Sequence, residues 1–129
     1  MKIYLIRGID RYRFVLICLG SVCKQEPRDI FLVVDGSASV QRKSFIKIRQ
    51  FILTLIKAVD VREEMTHFGL LQFSTREKTK IEFTLDESHD PKVLSEKVEN
   101  LKYQSGTETR TGLALGVVEK KVSSRLSTF

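Results

Sequence analysis

The run Asp29-Ile30-Phe31-Leu32-Val33-Val34, stopped by Asp35-Gly36-Ser37, constrains this chain more than any other segment. Its apolar residues follow one another without polar alternation and leave no face for water. It therefore predicts a strand covered on both sides, as in parallel sheets. Covering both sides takes helices, and the downstream pattern supplies them. From Ser44 the period lengthens: Phe45, Ile48, Ile52, Leu55, Ile56 and Val59 recur at helical spacing, with Lys47, Arg49 and Lys57 off the stripe, which predicts a helix over 42–59. His67 to Phe73 predicts a second strand. Ile81, Phe83 and Leu85 alternate with polar residues in a short third strand, placed at an edge. Asp90-Pro91 provides an N-cap and a first-turn proline for a helix carrying Val93, Leu94, Val98 and Leu101. A last helix opens near Arg110 and shows Leu113, Ala114, Val117 and Val118 on one face.

This element order predicts an α/β fold, a three-layer, doubly wound, mostly parallel sheet of Rossmann-like type. Only one helix-connected parallel crossover is completed before the pattern stops, after the third helix. The sheet is thus expected to be truncated, with strand 29–34 left as an open edge and the chain alone marginally stable.

The first 28 residues read differently. Arg11 and Arg13 precede the apolar run Phe14 to Leu19, followed by Gly20 and Ser21, the order of a signal peptide's basic, hydrophobic and cleavage regions. The expected organisation is a signal peptide over 1–23, a linker over 24–28 and a partial domain over 29–129. A buried strand from Arg13 to Leu19 is the alternative. The run falls short of the roughly 20 apolar residues a membrane span needs, so no direct span is expected. Cleavage near Cys23 removes Cys18 and leaves Cys23 single.

Net charge is +6, but residues 1–28 hold six Lys/Arg against two acids, leaving sixteen against fourteen among the rest. Basic residues there are interleaved with acids, which argues against a nucleic-acid partner. Two cysteines without Cys/His clusters argue against zinc chemistry, so any metal site must be built from oxygen.

Asp35-Gly36-Ser37-Ala38-Ser39 stands where the first strand ends, and in open α/β sheets ligand sites form beyond the carboxyl ends of strands. One carboxylate and two hydroxyls at alternate positions can converge on one hard cation, Mg²⁺ above all. A turn followed by a helix cap is the plainer reading of such a pentad. A second polar segment, Ser105-Gly106-Thr107-Glu108-Thr109-Arg110-Thr111-Gly112-Leu113-Ala114-Leu115, opens the last helix. In this order and separation, together with the strands Asp29 to Val34 and Phe68 to Ser74, these segments resemble the von Willebrand factor A domain and the related integrin I domain over about 90 residues.

The resemblance implies a metal-ion-dependent adhesion site (MIDAS) in which Ser37 and Ser39 ligate the metal through hydroxyls and Asp35 acts largely through a bound water. The family's threonine matches Thr109, with Thr107 fitting a looser register. The family's later aspartate has no counterpart before Phe129. The metal implied is Mg²⁺, with Mn²⁺ or Ca²⁺ as substitutes, and the partner is a matrix or cell-surface protein that offers an Asp or Glu. The expected function is extracellular adhesion by a secreted module, with weak metal binding by this chain. The alternatives are an intracellular scaffold domain and a fragment without metal-dependent binding. No enzyme is expected: Ser37 and Ser39 lack the flanking glycines of a nucleophile elbow, no phosphate-cradling loop is present, and His67 and His89 fall in a strand and a polar loop.

Overall fold

Strand β2, Arg28–Asp35, runs through the middle of the molecule, and its residues from Phe31 onward are buried. The computed structural model describes residues 3–7 and 27–126. The sheet has the order β1-β2-β3-β4, with β1 at Ile3–Arg7, β3 at Thr66–Phe73 and β4 at Lys80–Phe83. Helix α1 (Gln41–Ala58) makes the crossover between β2 and β3, which pair in parallel over eight residues from Arg28↔Thr66 to Asp35↔Phe73. Helices α2 (Pro91–Glu99) and α3 (Thr111–Leu126) follow β4.

Both faces of the central pair are covered, because side chains alternate along a strand. Leu32, Val34, Phe68 and Leu70 pack with Ile48, Ile52, Ile56, Leu94 and Val98 of α1 and α2. Phe31, Val33, Leu71 and Phe73 pack with Ala114 and Val118 of α3. The expected three layers are therefore present, and α2 begins at the expected Asp90-Pro91, with the Asp90 carboxylate accepting the Lys92 N–H at 2.8 Å. Arg49 of α1 donates to the Glu99 and Leu101 carbonyls and so ties the carboxyl end of α2 to its neighbour.

Three expectations change. The sheet is mixed rather than mostly parallel, since β1 and β4 pair antiparallel with β2 and β3. The β2 edge is not open: β1 lies along it from Ile3↔Val34 to Arg7↔Ile30, completing its backbone pairing with residues that precede the expected domain. Leu113, expected on the buried face of the last helix, is 36% exposed. The alternation in β4 is also interrupted by a bulge, with Leu70 opposite Phe83 but Leu71 opposite Ile81. The extra residue, Glu82, turns Phe83 toward α1 and α2 while Ile81 and Leu85 stay on the α3 side. The apolar run 14–19, Cys18 and Cys23 lie outside the described residues, and β2 begins at Arg28 inside the expected linker. No helix among the described residues is long and apolar enough to cross a membrane.

Candidate metal centre

Beyond Asp35 the β2–β3 ladder continues for one more bond, Gly36 N–H to the Phe73 carbonyl at 2.7 Å. The chain then turns. The Asp35 carboxylate accepts the Ser37 N–H through Oδ1 at 2.9 Å, an Asx-type contact that holds the turn. The turn brings the Ser37 and Ser39 hydroxyls to 2.9 Å from each other. Residues Ala38–Val40 form one 3₁₀ turn before α1. Asp35 and Ser37 are buried, whereas Ser39 is exposed, so the pentad opens to solvent on the Ser39 side.

The polar segment before α3 docks against this turn. Ser37 and Gly106 form a parallel bridge, and Ala38 N–H donates to the Gly106 carbonyl at 2.7 Å. Tyr103 adds a second link, its hydroxyl donating to the Ser37 carbonyl at 2.9 Å while its ring packs on Phe45 of α1. Arg110 N–H donates to the Ser74 carbonyl at the end of β3. Thr107 and Thr109, both exposed, lie on the stretch held at its two ends by Gly106 and Arg110. The peptide bonded to Ala38 leads directly into Thr107, which keeps the Thr107 Cα within about 5–6 Å of the Ala38 nitrogen by backbone geometry alone. Thr109 stands two residues further on.

Strain marks both loops. Gln41, two residues after Ser39, has φ 61° and ψ 149°, a region that only glycine visits without cost. Ser105, just before Gly106, has φ 50°. Around the rim, Glu108 pairs with Arg110 at 2.6 Å and raises the guanidinium's pKa above its ordinary value. The Glu77 carboxyl is held below the usual range, first by its own backbone N–H, then by the Thr75 hydroxyl, with Arg110 and Arg76 adding charge.

The donor set fits a small, hard cation. Octahedral ligands at about 2.1 Å from Mg²⁺ lie about 3.0 Å apart along an octahedron edge, and the Ser37–Ser39 oxygen separation of 2.9 Å matches that edge. Among the described residues no cluster of three His, Cys, Asp or Glu could hold a metal. A soft-ligand or carboxylate-caged site is therefore not offered by these residues. The pentad was legible in the sequence, whereas Tyr103 was not, because a lone tyrosine in a loop carries no periodic signal.

Helices on both faces of a mixed sheet, with an oxygen-rich turn at the carboxyl end of its parallel strand, define a doubly wound α/β domain. The chain belongs to the von Willebrand factor type A domain family, whose model matches residues 29–128. It is 36% identical over 93 residues to Matrilin-2 of Mus musculus, covering 72% of this chain and 9% of that protein. It is likewise 36% identical over 93 residues to Matrilin-4 of Homo sapiens, covering 72% of this chain and 14% of the relative. The chain thus spans a small fraction of these relatives' length. Among solved structures it is similar to proximal thread matrix protein 1 of the mussel byssus, with TM-score 0.68 and 21% identity over 78% of this chain and 26% of that one. A second structure of that protein, described as having a zinc-occupied MIDAS motif, aligns with TM-score 0.67 and 20% identity, again over 78% of this chain and 26% of that one. At such identity these likenesses speak for the fold.

Proposed function

We propose that this chain is an extracellular protein-binding module that holds a divalent cation between Asp35, Ser37, Ser39 and a threonine of the 106–110 segment, and uses it to bind an acidic side chain of a partner protein. The observation that carries the reading is the Ser37–Ser39 hydroxyl pair at octahedral-edge spacing beside the buried Asp35. The zinc-occupied motif described for the byssal matrix protein supports a metal in this fold, and the matrilin relatives and that matrix protein support a place outside the cell. Mg²⁺ is the expected occupant, with Mn²⁺ or Ca²⁺ as substitutes. Bound there, the cation supplies charge that a single protein carboxylate offsets only in part, which favours an Asp or Glu from outside.

Binding rather than catalysis is the role proposed. His67 Nδ1 donates to the Asp29 carboxylate at 2.8 Å, its Nε2 lies 2.7 Å from the Glu63 carbonyl, and its ring sits 4.6 Å from that of His89 in a tilted arrangement. This cluster belongs to the opposite end of the sheet. The Asp29↔His67 and Asp35↔Phe73 pairs are six residues apart in register, a separation of about 20 Å. Neither histidine can serve the pentad hydroxyls as a base over that distance.

Of the two threonines, the sequence pattern favours Thr109, and the Gly106 bridge favours Thr107 because it seats that residue next to Ala38. Mn²⁺ titration by calorimetry tests the whole reading. Wild type is expected to bind weakly, on the order of a millimolar, and Ser37→Ala to bind at least tenfold more weakly. Thr107→Ala and Thr109→Ala, compared in the same titration, assign the third hydroxyl. Equal binding by wild type and Ser37→Ala would sink the proposal.

A further inference from the structure

The two ligand-bearing loops are not joined to each other by their own elements alone. Between them sits Gln72 of β3, 1% exposed, with its side-chain amide hydrogen bonded on both ends. Its Nε2 donates to the Lys102 carbonyl at 3.0 Å and reaches Glu82 Oε1 at 3.4 Å; its Oε1 accepts the Gln104 N–H at 3.3 Å. Two residues on, the fully buried Ser74 hydroxyl donates to Gln104 Oε1 at 2.7 Å. Residues 102 and 104 are thus gripped from β3, while Tyr103 between them reaches across to the Ser37 carbonyl.

Gln72 also sets the other loop. A β-carbon on Gly36 would lie 2.3 Å from Gln72 Oε1, so the pentad turn rests directly against the amide. A buried amide with its hydrogen bonds made has one low-energy position, since any other leaves polar atoms unpaired at about 1–3 kcal/mol each. Gln72 is therefore a fixed spacer: Gly36 lies against one side of it, and the 102–104 backbone hangs from the other.

We propose that Gln72 and Tyr103 are positioning residues that set the separation of the pentad from the threonine segment, so that cation affinity depends on two side chains that do not ligate the cation. The inference rests on the metal-site reading given above for its consequence, and on hydrogen bonds alone for the positioning itself. Outer contacts that hold ligand groups typically change metal affinity by tenfold or more when lost.

Two variants that keep shape test it: Tyr103→Phe, which retains the ring against Phe45, and Gln72→Met, which retains length. Backbone amide hydrogen exchange reads loop docking without metal. The Ala38 N–H, bonded to Gly106, is expected to exchange about tenfold faster in both variants, while Leu32 and Leu70 amides stay as protected as in wild type. Mn²⁺ affinity is expected to fall about tenfold in the same two proteins. Unchanged Ala38 exchange in both variants overturns the positioning role. Faster Ala38 exchange with undiminished Mn²⁺ binding overturns its link to affinity. If wild type takes up no more Mn²⁺ than Ser37→Ala, the metal reading is what fails, and the exchange of Ala38 still decides whether these residues set the loop spacing.

Discussion

Gly69→Ala should be among the most damaging conservative changes available to this sheet. Gly69 faces Phe31 across the β2–β3 ladder, and a β-carbon there would fall 2.5 Å from two atoms of the Phe31 ring. Carbon atoms in contact settle at about 3.5–4.0 Å, so the ring must move by about 1 Å. It has nowhere to go: Phe31 is 1% exposed and packed with Val33, Leu71, Phe73, Ala114 and Val118. Overpacking of this kind costs about 1–3 kcal/mol, and the stiffer unfolded chain returns about 0.5–1 kcal/mol. With so large a clash the net loss should be about 2 kcal/mol, which for a domain of this size lowers Tm by roughly 10 °C. The chain has no tryptophan, so urea unfolding followed by circular dichroism is the suitable assay. Phe31→Leu in the same background should recover at least about 1 kcal/mol beyond additivity. A Gly69→Ala protein as stable as wild type, or a strictly additive pair, would refute the reasoning.

Three further outcomes follow from local features. Gln41→Gly should stabilise the chain by about 1 kcal/mol, since it relieves a backbone conformation foreign to other residues; urea midpoints read this directly. Asp90→Ala should cost about 1 kcal/mol through loss of the bond to Lys92 N–H, seen as a lower melting temperature. Glu87, bonded to Lys97, titrates below the ordinary value of 4.5 in the folded chain, with that hydrogen bond as the first cause. A depressed carboxyl lends stability above its unfolded pKa and loses it as the pH falls through the folded value. Glu87→Gln should therefore cost less than about 1 kcal/mol at neutral pH, as the pair is partly exposed. Melts well below pH 4.5 should show no difference between the two proteins.

Much of this architecture was legible because it rests on runs and periods. Residues 29–34 announce a strand covered on both faces, and Phe45, Ile48, Ile52 and Ile56 announce the helix that covers one of them. Asp90-Pro91 marks a helix start through capping chemistry that needs no tertiary context. The pentad was legible because its donors are close in sequence. What escaped depends on partners far along the chain. The bulge at Glu82 is a matter of register between β3 and β4, and alternation in β4 alone says nothing of it. The Ile3–Arg7 strand was overshadowed by the stronger apolar run after it. Gln72 and Ser74 did carry a signal: two polar residues at alternate positions in a strand otherwise buried on both faces must find partners. Which partners they find, Lys102 and Gln104, only the fold could show.

The strand at Ile3–Arg7 precedes the segment 29–128 that the family model matches, so the chain's first residues belong to the sheet without belonging to the matched domain. Trimming anywhere between residues 8 and 27 would withdraw a strand from the sheet and strip Ile30 to Val34 of their partner on that side. A fusion tag at Met1 would sit two residues from the ladder, against the piece of the protein on which the central strand leans.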